Sequence, residues 1–337
     1  MPTITNGGKY MQAITYTGTG STQTIAVGFQ PDFVWIKSRS AATDHKLTDS
    51  VRGATKALIS DTTGTETTDA NGVTAFTSNG FTIGSNSVYN TNAATYVAWC
   101  WKAGGTSSSN TNGSITSTVS ANTTAGFSIV TYTGNGTNGA TVGHGLGVAP
   151  SMVIVKSRST AGTDWPVYHS SLGATGILPL DTTDAFIVTS TPWNNTAPTS
   201  SVFSVGTSGD TNLSARTYVA YCFAPVAGYS AFGSYTGNQS ADGPFVYLGF
   251  RPRFVMIKRT INAGGSWAVY DSARNTYNVE NLSLYPNLSN ADDTYDVLDF
   301  TSNGFKIRTA GLGVNQSGDT FIYACFAEVP LKFANAR

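Results

Sequence analysis

Charge is scarce in this chain: 11% of its 337 residues are charged, against about 25% in ordinary soluble domains. The 19 basic and 19 acidic residues cancel, so no global field steers DNA or an anionic membrane. Aromatics interleaved with dense Arg and Lys are also missing, and no nucleic-acid partner is expected. No apolar stretch approaches the ~18 residues of a membrane span, so no membrane insertion is expected. The opening Met1-Pro-Thr-Ile-Thr-Asn-Gly-Gly-Lys-Tyr10 lacks the basic and apolar regions of a secretory signal, which points to synthesis in a cytosol. His45, His144 and His169 offer no H-x-x-x-H spacing, and with no zinc pattern no metal is expected. No segment sustains a capped 3.6-residue apolar period, so helices are not expected.

What fills the chain instead is Gly (36 residues), Thr, Ser and Asn, the composition of a turn-rich β protein solubilised by hydroxyls and amides. Three phrases recur three times. Tyr16-Thr-Gly-Thr-Gly20 returns as Tyr132-Thr-Gly-Asn-Gly136 and Tyr235-Thr-Gly-Asn238. Gly28 to Arg39 returns as Gly147 to Arg158 and Gly249 to Arg259, and Tyr96-Val-Ala-Trp-Cys-Trp101 as Tyr218 to Phe223 and Phe321 to Phe326. A period near 100 residues is too long for a solenoid rung and long enough for a domain. Short alternating strands and turn signals predict an all-β chain of three tandem β-sandwich, jelly-roll-like modules. The boundaries read as 1–103, a Gly/Ser/Thr/Asn-rich linker 104–125, 126–226 and 227–337. By composition the linker is a flexible tether, so the first module is expected to move independently of the other two.

In Phe33-Val-Trp-Ile-Lys-Ser-Arg39 the aliphatic face, Val34 and Ile36, is the expected core side. The other face starts apolar and ends basic, as where a strand leaves the core. The closing phrase is apolar on both faces and reads as a central strand packed on both sides. Its Cys100, Cys222 and Cys325 read as a repeated structural core of inert thiols, because Cys behaves as a small buried hydrophobe. Ser78-Asn-Gly-Phe81 and Ser302-Asn-Gly-Phe305 predict tight hairpins with Asn-Gly in left-handed conformations.

Chemistry-bearing patterns are weak. Gly134-Asn-Gly-Thr-Asn-Gly139 matches G-x-G-x-x-G, yet the glycines that follow forbid the helix that would hold a pyrophosphate, so no cofactor is expected. Nothing resembles a nucleophile elbow, and His169 aligns with Asp49 and Asp271, so no catalytic residue is nominated. That position reads as a polar turn in which Asp49 pairs with Arg52 and Asp271 with Arg274. Asp292, Asp293, Asp296 and Asp299 lack calcium-loop spacing and read as a solvated loop. Lys37, Lys156 and Lys258 recur as candidates for local ion pairs. One loop is a candidate receptor or glycan site: Trp193 beside Asn194 and Asn195, a ring to stack on a sugar and amides to take its hydroxyls. Trp165 and Trp267 recur at one aligned position, with His45 in the first copy, which favours a structural role for them.

Taken together, the three phrases resemble a repeat found in virion structural proteins of tailed bacteriophages. The resemblance covers Tyr16 to Lys102, Phe127 to Phe223 and Tyr235 to Phe326. It implies a place on the virion surface rather than a reaction, and it carries no catalytic residues. The resulting expectation is a non-enzymatic tail-fibre or tail-appendage component contributing to host attachment, with Met1 to Tyr10 as a candidate anchor. Its expected partners are other virion proteins of tail or capsid, further copies of itself in a homotrimer, and a host surface glycan. A capsid decoration or head-fibre protein is the alternative, and a polysaccharide-degrading tail protein the second.

Overall fold

Apolar residues on both faces of the repeated strands build the fold. In a computed structural model describing residues 4–328, strands dominate and the two α-helices are single turns, Ser87–Asn90 and Leu312–Asn315. The chain is all-β. One strand order occurs three times. In the first copy the opening strand Met11–Thr17, the closing strand Thr95–Trp101, the second strand Phe33–Ser38 and the third strand Lys46–Asp49 lie side by side in that order. Phe127–Thr133, Thr217–Phe223, Met152–Ser157 and Pro166–His169 repeat it, as do Ser230–Thr236, Thr320–Ala327, Pro252–Arg259 and Ala268–Asp271. The closing strand is central each time. Even the register is kept: Val34 faces Cys100, Val153 faces Cys222 and Val255 faces Cys325.

A second sheet covers one face of each. Gln23–Ala26, Gly80–Ile83 and Val73–Thr77 cover the first copy, and Ala140–Gly143 with Val202–Val205 the second. Phe245–Tyr247, Gly304–Ile307, Asp293–Thr301 and Glu280–Ser283 form the third such sheet. Between the sheets of the first sandwich lie Val34, Ile36, Ala98 and Cys100 against Ile25, Phe81 and Ile83. The thiols of Cys100, Cys222 and Cys325 are free and fully buried, and burial pushes their pKa up, which removes the reactive thiolate.

The opposite face does not leave the core. Phe33, Trp35, Trp99 and Trp101 are all buried, in one cluster with Phe127, Met152, Ile154, Tyr221 and Phe223 of the second copy and Phe254, Met256 and Phe326 of the third. Phe33 stacks on Tyr221 with ring centroids 4.3 Å apart, and Trp101 meets Phe254 at 5.4 Å, Phe326 at 5.7 Å and Phe223 at 6.2 Å. The remaining space there is about 10 Å³ and wholly apolar, at the lower limit for one water. Each large side chain buried this way contributes roughly 1.5–3 kcal/mol. The inner sheets therefore turn their second faces toward one another, which is why the repeated strands are apolar throughout.

Two local expectations are corrected. Segment 104–125 is no free tether: Ser108–Asn110 and Ser117–Asn122 extend the second copy's sheet, with Ser117 opposite Tyr132 and Asn122 opposite Phe127. Hydroxyl and amide side chains permit a coil in isolation, but the exposed edge of Phe127–Thr133 supplies backbone partners that a coil would lack. The Asn-Gly pairs also sit differently. Thr77 pairs with Gly80 and Thr301 with Gly304, so each turn is centred on Ser-Asn, with neither residue at positive φ. The glycine opens the next strand, where a Cβ would overlap the carbonyl of Ile25 or Val246. Glycine is required there by a close backbone approach. Within the candidate anchor Ile4 is buried and the Tyr10 carbonyl accepts from Lys102 N at 2.8 Å, while residues 1–3 lie outside the described part.

Candidate functional site: the seams between copies and a cleft in the third

The third strand of each copy ends at the seam with the next. Between copies one and two, Asp49 and Arg52 form a fully buried pair at 2.5 Å. The Arg52 guanidinium also donates to Glu66 Oε2 (3.1 Å), the Leu47 carbonyl (2.9 Å) and the Tyr221 hydroxyl (3.2 Å). Tyr221 donates to Asp49 Oδ2 at 2.9 Å, and Arg158 grips both Glu66 oxygens at 2.8 and 3.0 Å. Copies three and one meet in the same way. Arg274 binds Asp271 (2.7 Å) and Asp292 (2.9 Å), Trp99 Nε1 donates to Asp271 Oδ2 (2.9 Å), and Arg39 binds Asp292 (2.8 Å). Burial alone would lower the Arg52 and Arg274 pKa values, but the carboxylates of Asp49 and Asp271 hold them above the usual range. The expected Asp–Arg pairs exist, and both are fully buried. Asp292, expected in a solvated loop, is half of this seam.

Copies two and three meet through neutral groups. Strand register aligns Arg39 and Arg158 with Thr260, not with Arg259: the backbone N–H groups of all three donate to Thr95, Thr217 and Thr320. At this seam His169, Leu172, Phe186, Thr260 and Ala324 stand where the ionic seams carry Asp, Arg, an acid, Arg and an aromatic donor. His169 Nδ1 accepts from Ser171 N (3.2 Å), which leaves Nε2 to donate to the Tyr323 carbonyl (3.2 Å). Burial lowers the His169 pKa to about 4, so the ring is neutral. Arg259 turns to Asp319 of its own copy. A depression of about 510 Å³, lined by Leu172, Phe186, Thr260 and Ile261, marks this seam.

Further bonds run round the same circuit. Trp165 Nε1 donates to the Ile59 carbonyl of copy one (3.0 Å), Trp267 Nε1 to the Pro179 carbonyl of copy two (2.8 Å), and Ser60 Oγ to the Pro286 carbonyl of copy three (2.7 Å). Glu66, Phe186 and Asp292 each donate a backbone N–H to the copy that follows, with copy one following copy three. Among the described residues the recurrent lysines form no close ion pair. Lys37, Lys156 and Lys258 are fully buried, their ammonium groups donating to the carbonyls of Ser38, Thr163 and Gly265. Burial lowers each pKa to about 8.

The loop residue nominated for sugar stacking lies inside. Trp193 is 2% exposed and packs edge-on against Tyr168 at 6.2 Å, while Asn194 and Asn195 reach solvent in left-handed conformations. A buried ring has no free face to stack on, so the Trp193–Asn194–Asn195 site is corrected to a core position with two surface amides. The third copy instead has an open cleft of about 250 Å³ between its two sheets, walled by Tyr270, Tyr285 and Tyr295. Nothing in the repeated phrases marked it, because it arises where the copies differ.

The seam residues missed in the sequence were Glu66, Arg39, Arg158, Trp99 and Tyr221. Their signal was joint: the second copy loses the aspartate, the arginine and the acid together. One family model, described as Domain of unknown function (DUF7483), matches residues 6–330, a span that runs through all three copies. The chain belongs to that family. Among curated proteins none matches it. The family match thus takes in the whole circuit of seams rather than one copy.

Proposed function

We propose that the protein is a non-enzymatic structural component of a bacteriophage virion, on a tail fibre or similar appendage at the virion surface. The observation that supports this most is the use made of buried charge. Asp49 and Arg52 bond Tyr221 across one seam, Asp271 bonds Trp99 across another, and Arg274 holds Asp271 in place, as suits a scaffold that must keep its shape under load. The resemblance of the repeated phrases to virion repeats supplies the location, and other virion proteins are the proposed partners. Exposed Phe245, Tyr247, Tyr277, Tyr295 and Leu312 of the third copy favour that copy as the one facing a host surface. Homotrimerisation belongs to this reading. A chain that already closes three copies on one another also allows a single chain to stand where three would, and light scattering separates 35.3 kDa from about three times that mass.

Electron microscopy of particles labelled on this protein tests the placement. Label confined to the tail supports the reading, and label spread over the capsid would replace it with the decoration or head-fibre alternative. Release of oligosaccharides from host polysaccharide by the isolated protein would favour the polysaccharide-degrading alternative instead.

A further inference from the structure

We propose that the cleft in the third copy is a binding site for a neutral, hexose-sized sugar ring. The inference deepens the attachment reading and rests on it only for the source of the glycan.

The cleft exists because a plug is missing. Asn90, Asn212 and Asn315 play one role in the three copies, each accepting from the backbone of the opening loop through Oδ1 (Thr19, Asn135 and Asn238). The residue before each is therefore equivalent: Tyr89, Thr211 and Val314. Their carbonyls confirm it, accepting from Tyr16, Tyr132 and Tyr235 hydroxyls respectively. In the first copy the Tyr89 ring is fully buried and lies over Gly72. Gly72 corresponds to Pro192 and Val297, since their carbonyls accept from Gly84, Gly206 and Arg308. In the second copy Trp193, the neighbour of Pro192, fills the space beside Tyr168. In the third copy Val314 replaces the tyrosine, Leu298 follows Val297, and the space stays open.

What lines the space suits a sugar. Tyr270 forms the buried wall, Tyr285 is half-buried, and Tyr295 stands at the rim, 61% exposed. Aromatic faces stack on the C–H face of a pyranose, and hydroxyls meet its edge. Hydroxyls are supplied by Ser266, Ser283 and Thr309. Ser266 is held by Asn287 Nδ2 (3.2 Å), itself fixed by the Trp267 N–H (3.0 Å), and Tyr285 by Asp293 Oδ2 (3.1 Å). Among the described residues no charged side chain lines the cleft, which selects a neutral ligand. Its volume of about 250 Å³ falls just below the roughly 300–1,000 Å³ of drug-sized sites, so one ring enters and the rest of a glycan stays outside.

The test is saturation-transfer NMR on the full chain with glucose, galactose, mannose, rhamnose, N-acetylglucosamine and N-acetylgalactosamine, each alone. At least one is expected to bind saturably, with Kd of roughly 1–10 mM, as a single small ring allows. Val314→Tyr restores the plug of the first copy and should weaken binding more than tenfold with no loss of thermal stability. Tyr295→Ala, at the exposed rim, should weaken it roughly two- to tenfold. Saturable binding by none of the six sugars, or equal binding by wild type and Val314→Tyr, would overturn the assignment. Because the isolated protein is used, this result is independent of where the protein sits on a particle.

Discussion

Two of the three seams are ionic and one is neutral, although the backbone that frames them is the same. At the ionic seams a buried arginine ties an aspartate to a second acid of its own copy, and the next copy bonds both acids through an aromatic donor and a second arginine. At the neutral seam the same positions carry His169, Leu172 and Phe186, and the side-chain remnant of the pattern among the described residues is His169 bonding to a backbone carbonyl. The lesson is that the cluster changes as a unit. A lone Arg at position 172 would face no carboxylate, and a lone Asp at 169 no cation. Unpaired buried charge costs several kcal/mol, so intermediates between the two kinds of seam are penalised.

The comparison can be broken first by removing what all seams share. Trp101→Ala empties the site where one ring meets Phe223, Phe254 and Phe326, and should cost toward the upper end of about 3–5 kcal/mol in urea unfolding. A loss below ~1 kcal/mol would mean that the copies do not share this core. Next, Arg52→Ala leaves Asp49 buried without its cation and should cost about 3–4 kcal/mol, against about 1 kcal/mol for Leu172→Ala at the half-buried neutral counterpart. Equal losses would erase the distinction.

Acid sharpens the contrast further. The folded His169 pKa, about 4, lies below its unfolded value near 6.5, so the unfolded chain binds the extra proton between them. The neutral ring therefore stabilises the fold fully above pH 6.5, and that stability is lost as pH falls toward 4. His169→Asn should flatten this part of the stability–pH profile by roughly 1–3 kcal/mol. An unchanged profile would show that His169 is not buried in solution.

The sequence made the inner architecture legible to an unusual degree, because three copies of each strand could be compared. The apolar second face of Tyr96 to Trp101 announced a strand packed on both sides, and the recurrence of Cys100, Cys222 and Cys325 announced a core position. What packs on that second face was not legible. Periodicity shows that a face is buried, not whether its cover is the same copy or another. For the same reason Phe33 to Arg39 read as a strand leaving the core. Thr260 could be aligned only through register, since Arg259 imitates the sequence pattern. Trp193 read as a surface ring because its neighbours are Asn and Pro. Its burial follows from the hole that Thr211 leaves where the first copy has Tyr89.

The central claim is that the three copies pack on one another through a shared core instead of hanging on linkers. Small-angle X-ray scattering of the full chain tests it directly. A closed arrangement of this length has a radius of gyration of about 20 Å, whereas three sandwiches strung in a line would give roughly 30 Å. A value near 20 Å, unchanged by salt, is the predicted result; a value near 30 Å would contradict the account.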